Sequence, residues 1–201
     1  MTRWILLSSL MCAGLLACGP SQTVATPSPT TTVAAEQGVD ALRTLLSRRH
    51  YTPAKADIEA VSADAAGDLR TLAAVDEGLG IIRTRSIWSL ALYPSDVSAE
   101  ALMVLVKTAP RPALRRGAIA ALGRMDAGGL SAETLGDVAS SALLAVQDED
   151  LQVRLAAVDT LSVLPNSAAL LHAAKDATQE PHTRTRIDTH LQDAAVGGVA
   201  P

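Results

Sequence analysis

Hydrophobic positions recur along the middle and end of this chain with a spacing that only a helix keeps on one side. The segments IRTRSIWSL from Ile82, LRRGAIAAL from Leu114 and VRLAAVDTL from Val153 follow one plan: an apolar residue, Arg, then Ser or Ala fifth, Ile or Val sixth and Leu ninth. At about 100° per residue the first, fifth, sixth and ninth positions share one broad arc. The buried face is therefore expected to hold Ile82, Ser86, Ile87 and Leu90, then Leu114, Ala118, Ile119 and Leu122, then Val153, Ala157, Val158 and Leu161. The third, fourth and seventh positions point away from it. The copies start 32 and 39 residues apart, a period that signals stacked helical hairpins, each burying its apolar side on the next.

The remaining helices follow from the same periodicity. Val39, Leu42, Leu45 and Leu46 share one face of a helix from Glu36 to Arg49 that would close the start of the stack. A short helix through Ile58 and Val61 follows, with Thr52 as N-cap and Pro53 as its first residue, and Ser62 is placed to cap the next. Leu69, Leu72 and Val75 then form the first helix of repeat one, with Gly78 and Gly80 turning into the Ile82 helix. Repeat two has Ser98 as cap of the helix carrying Leu102, Leu105 and Val106, and Pro112 at the start of the Leu114 helix, where its missing N–H costs nothing. The Asp126–Gly129 turn takes up the longer spacing before Leu135, Val138, Ala142 and Val146. Asp150 caps the Val153 helix. Leu170, Leu171 and Ala174, then Pro181, Arg184, Ile187 and Leu191, make a fourth, more polar hairpin suited to a stack end.

The Val-Arg start followed by Ala and Leu resembles the second helix of the HEAT-like repeat family, over roughly residues 63 to 191. This resemblance implies an all-α fold, a right-handed superhelical α-solenoid of helical hairpins with the second helices on the concave side. It also implies that the recurring Arg83, Arg115, Arg154 and Arg184 form a structural ladder that bonds acidic loop residues, with Asp76, Glu77, Asp148 and Asp150 as candidates. Some HEAT-like proteins are bilin lyases or DNA-base glycosylases, and the di-iron hydroxylases of the group carry His-Glu dipeptides, of which this chain has none.

Composition agrees with thin, closely spaced helices: 48% hydrophobic residues, 2% aromatic and no Phe. Strands prefer β-branched and aromatic side chains. The net charge of −4 provides no large positive field for a phosphate backbone, so nucleic acid is not an expected partner.

The N-terminal residues carry a different message. Arg3, the apolar run from Ile5 to Leu16 and the small Ala17 read as an export signal, shorter than the roughly 20 apolar residues a spanning helix needs. Leu15-Leu16-Ala17-Cys18 resembles a bacterial lipobox, although Leu16 stands where a small residue is usual. That resemblance implies cleavage after residue 17, lipid attachment at Cys18, and a protein anchored in the cell envelope. Gly19 after the cysteine favours the outer membrane, facing the periplasm. Residues 18–35, rich in Pro, Ser and Thr, read as a disordered linker, residues 36–191 as the helical-repeat domain and 192–201 as a disordered tail.

No catalytic constellation stands out. There is no G-x-S-x-G elbow, no phosphate loop and no metal-ligand spacing among His50, His172, His182 and His190, so no metal or other cofactor is expected. The expectation is a non-enzymatic, membrane-anchored scaffold or adaptor with an unknown protein partner. The alternatives are a lyase-type or small-ligand-handling HEAT-like protein, and a folded spacer without a specific partner. Candidate partner-binding residues are those facing away from the core: Arg85, Trp88, Arg116 and Leu155, because Trp and Arg are the types most enriched at binding hot spots.

Overall fold

In a computed structural model that describes residues 29–75 and 80–197, every regular element is a helix. They are α1 (Pro29–Ser47), α2 (Lys55–Glu59), α3 (Ala65–Ala74), α4 (Gly80–Leu90), α5 (Asp96–Thr108) and α6 (Pro112–Leu122), then, after a 3₁₀ turn at Ala127–Gly129, α7 (Ala132–Ala145), α8 (Leu151–Val163), α9 (Ser167–Ala177) and α10 (Pro181–Gly197). Helices α3/α4, α5/α6, α7/α8 and α9/α10 pair as hairpins. First helices α3, α5, α7 and α9 pack in series as one layer, and second helices α4, α6, α8 and α10 as another, with α1 against α3 and α4.

The core lies between the layers. All twelve residues of the expected buried arcs, from Ile82 to Leu161, are buried. Small residues at the fifth position, Ser86, Ala118 and Ala157, are completely inaccessible, which lets neighbouring helices close on one another. Leu42, Leu45 and Leu46 of α1 are buried in the same core.

Helix ends depart from the expected positions in five places. Helix α1 begins at Pro29, inside the stretch read as linker: Pro suits a first helical residue, and Ala34, Ala35, Glu36 and Gln37 favour helix after the weaker Thr30-Thr31-Thr32-Val33. At α2, Thr52 and Pro53 stay outside the helix, and the Ala54 N–H donates to Asp57 Oδ2 at 2.8 Å. Asp64, not Ser62, caps α3 by accepting from the Gly67 N–H, which frees the Ser62 hydroxyl to donate to the buried Asp68. Ser95, not Ser98, caps α5. Asp150 caps α8 as expected, accepting from the N–H groups of Gln152 and Val153. Helix α10 runs past Leu191 to Gly197, so part of the stretch read as a tail is helical. Cys18 and the export signal lie outside the described residues, as do Asp76 and Glu77.

The recurring arginines stitch the stack. Arg83 Nε donates to the Ala73 carbonyl at 2.9 Å, Arg115 Nη1 to Ala109, Arg154 Nη1 to Asp148 and Glu149, and Arg184 Nη1 to Lys175 and Thr178. In each case the acceptors lie at or just after the C-terminal end of the first helix of the same hairpin, where carbonyls lack helical partners. Among the described residues, Arg115 and Arg154 also reach the next hairpin: Arg115 holds the Asp148 carboxylate, and Arg154 reaches Thr183 and Glu180. Of the four acids named as candidate acceptors, Asp148 takes that role and Asp150 serves as a helix cap.

Candidate functional site in the second-helix groove

Two residues after each ladder arginine the side chain sits on the outer side of the second-helix layer, and five after it likewise. In the two inner hairpins the first of these positions is Gly117 and Ala156, and in the two outer ones it is Arg85 and Arg186. Small residues in the middle with larger ones at the edge make a groove. It crosses α4, α6, α8 and α10, has a volume of about 460 Å³, and is floored by Gly117, Ala120 and Ala156.

Trp88 forms one wall and is 47% exposed. Its position depends on Gly117: a Cβ there would stand 3.1 Å from the indole Nε1, so the missing side chain is what admits the ring edge against α6. Arg124, just past the end of α6, places its guanidinium 5.3 Å from the ring centroid, a cation–π distance. Arg116 and Leu155 line the same groove, so three of the four candidate binding residues come together. Arg116 is exposed and makes no hydrogen bond or ion pair among the described residues.

Arg85 departs from its expected role. Its Nη1 donates to the carbonyls of Leu46 and Arg48, at 2.7 and 2.5 Å, and so satisfies the C-terminal end of α1. It braces α1 against α4 and lines a second groove on the far side of Trp88, about 490 Å³, together with Pro53, Ile81 and Leu92.

The opposite wall of the first groove holds a cluster that the repeat pattern did not single out. Asp159 Oδ1 accepts from Arg186 Nε at 2.7 Å and lies 2.8 Å from His190 Nε2, joining α8 to α10. Burial opposes ionisation of Asp159, but the Arg186 and His190 hydrogen bonds and charges outweigh it and hold the carboxyl below the usual range. Arg186 stands in the same register as Arg85, a signal present in the sequence. His190 stands six residues after Arg184, off that register, which is why periodicity could not find it.

Chemically this groove offers an aromatic face, an apolar floor and an unpaired cation. Among the described residues no three His, Cys, Asp or Glu converge as a metal site, and no helix is long and apolar enough to cross a membrane.

No family model and no curated protein matches the chain. A solved structure does: the complex of CpcE and CpcF of phycocyanin lyase from Nostoc sp. PCC7120 superposes with a TM-score of 0.53 and 22% identity, over 76% of this chain and 98% of that one. The fold is that of HEAT-like helical repeats. At that identity the likeness speaks for architecture alone. It nonetheless corrects the expectation of a non-enzymatic protein, because a fold of this kind serves a lyase.

Proposed function

We propose that the chain is a lyase-type, ligand-handling helical-repeat protein that holds its substrate in the groove across α4, α6, α8 and α10. The carrying observation is the pairing of half-exposed Trp88, seated on Gly117, with the unpaired Arg116 in one groove of ligand size. A flat apolar body fits the indole face and the alanine floor, and an anionic group fits Arg116. The lyase complex of the same fold supports this reading over a purely structural one.

The experiment uses 8-anilinonaphthalene-1-sulfonate, a flat apolar anion, with a chain in which Trp4 is replaced by Phe so that only Trp88 emits. Energy transfer from Trp88 to the probe is expected, weakened about tenfold or more in affinity by Arg116→Glu and by Leu155→Glu. Binding that both substitutions leave unchanged would refute the groove.

A second reading concerns assembly and place. The lyase structure is a complex of two polypeptides, which favours a protein partner here too. We propose further that Cys18 carries the lipid anchor, a reading supported by the N-terminal sequence pattern.

A further inference from the structure

The second groove is built differently from the first. Ile81, Trp88 and Leu92 are 45%, 47% and 39% exposed and fall on one side of α4 and the turn that follows it. They form an apolar stripe of about 16 Å, taking the eleven steps from Ile81 to Leu92 at about 1.5 Å each. The same register holds Ala113, Ala120 and Arg124 on and just after α6, Gln152, Asp159 and the exposed Val163 on α8, and His182, Thr189 and Asp193 on α10, so among the described residues α4 and its turn alone set three large apolar residues in this line. Apolar side chains clustered in this way on a water-facing surface mark a contact site.

Its rim identifies the partner. Among the described residues the charged side chains lining the groove are Arg85 and Arg124, with no Asp or Glu. Arg85 is committed to the end of α1, whereas Arg124 has the Trp88 ring beside it and no acid partner among the described residues. In a chain of net charge −4 this is a locally cationic strip with an apolar centre. A second copy of the same face would set arginines against arginines, since an isologous contact pairs a patch with itself.

We infer that the α4 stripe docks an acidic amphipathic helix of a partner protein. Apolar residues at i, i+4, i+7 and i+11 of that helix cover Ile81, Trp88 and Leu92, and a Glu or Asp beside them meets Arg124. About three helical turns match the stripe in length, and an apolar face laid into a groove is a recurrent mode of recognition. The inference shares Trp88 with the ligand groove but uses neither Arg116 nor Leu155, so substitutions at Leu92 test it separately.

The test places the photocrosslinker benzoylphenylalanine at Leu92 of the full chain, in the cells that make the protein, with Leu144 on α7, 64% exposed, as control. The captured segment is sequenced by mass spectrometry, synthesised, and titrated against the purified protein. Capture at least tenfold above the Leu144 control is expected, by a segment with net negative charge and the i, i+4, i+7 apolar pattern. Its affinity should fall at least tenfold with Leu92→Glu and with Arg124→Glu, while Leu92→Glu leaves naphthalenesulfonate binding unchanged. The inference is overturned by capture no greater than at Leu144, or by capture of a basic or unpatterned segment, a second copy, residues 1–28 of the chain itself, or lipid. An affinity that Leu92→Glu does not alter overturns it equally.

Discussion

Arg115 grips Asp148 with two parallel hydrogen bonds, Nε to Oδ2 at 2.8 Å and Nη2 to Oδ1 at 2.9 Å, across 33 residues of chain. Both side chains are nearly out of water, at 11% and 14% exposure, and the fork of the guanidinium matches the carboxylate. Asp148 also accepts from the Asp150 N–H, so the bond from repeat two fixes the turn that starts α8. Removing one member of a buried pair typically costs about 3 to 5 kcal/mol, and Asp148→Ala falls below that range because Arg115 keeps the Ala109 carbonyl and Glu149 as acceptors. Asp148→Ala is expected to lower the melting temperature more than Asp150→Ala, which removes a cap worth about 1 kcal/mol. Thermal unfolding followed by circular dichroism measures the difference.

Arg154 donates to two loop carbonyls and to Thr183, bonds of the charge-assisted kind worth roughly 1.5 to 3 kcal/mol. Arg154→Ala is expected to lower thermal stability clearly. Unchanged melting together with lost ligand or partner binding would show that the ladder serves recognition instead.

Acid should loosen the stack at its hairpin junctions. Burial works against the Asp148 charge, but the Arg115 hydrogen bonds, the Asp150 N–H and the charges of Arg115 and Arg154 hold its carboxyl below the ordinary value, and Asp159 is lowered in the same way by Arg186 and His190. A carboxyl lowered on folding stabilises above its unfolded value and loses that contribution as pH falls through its folded value. Stability is therefore expected to be level from neutral pH to about pH 5 and to fall below about pH 4. Melting temperatures measured from pH 7 to pH 2 should show a smaller acid-induced drop in Asp148→Asn, which starts from a lower stability.

Gly123 ends α6 against Thr160 of α8. A Cβ at residue 123 would stand 2.8 Å from Thr160 Oγ1 and 3.1 Å from Thr160 Cα, and the same hydroxyl is 2.9 Å from the Ile119 carbonyl. Gly123→Ala is expected to destabilise by about 1 to 3 kcal/mol through overpacking, although its backbone angles are helical. Chemical denaturation of Gly123→Ala beside the unaltered chain provides the value, and a neutral outcome would mean that α6 and α8 can part without cost.

Cys18 is the cysteine that directly follows the small Ala17 at the end of the apolar run. Two acyl chains suffice for stable membrane attachment. Metabolic labelling with a fatty-acid analogue should mark the unaltered protein and not Cys18→Ser; equal labelling would remove the assignment.

The apolar period and the repeated arginine were enough, without coordinates, to specify helices, hairpin order and all twelve core positions of the repeated helices. They could do so because burial against a neighbouring helix imposes a local rule, one face in every turn, that each segment carries in its own residues. Capping was less legible. Ser62 and Ser98 are as good N-caps as Asp64 and Ser95 by residue type, and only the point at which the chain meets its neighbour selects among them. Arg85 and Arg116 look alike in sequence, yet one is spent on the carbonyls of α1 and the other faces an open groove. The Asp159, Arg186 and His190 cluster and the seat of Trp88 on Gly117 join residues of different helices. Such contacts are fixed by the distance and angle between packed hairpins, which no single helix encodes, so tertiary structure alone decided which exposed residues became a site.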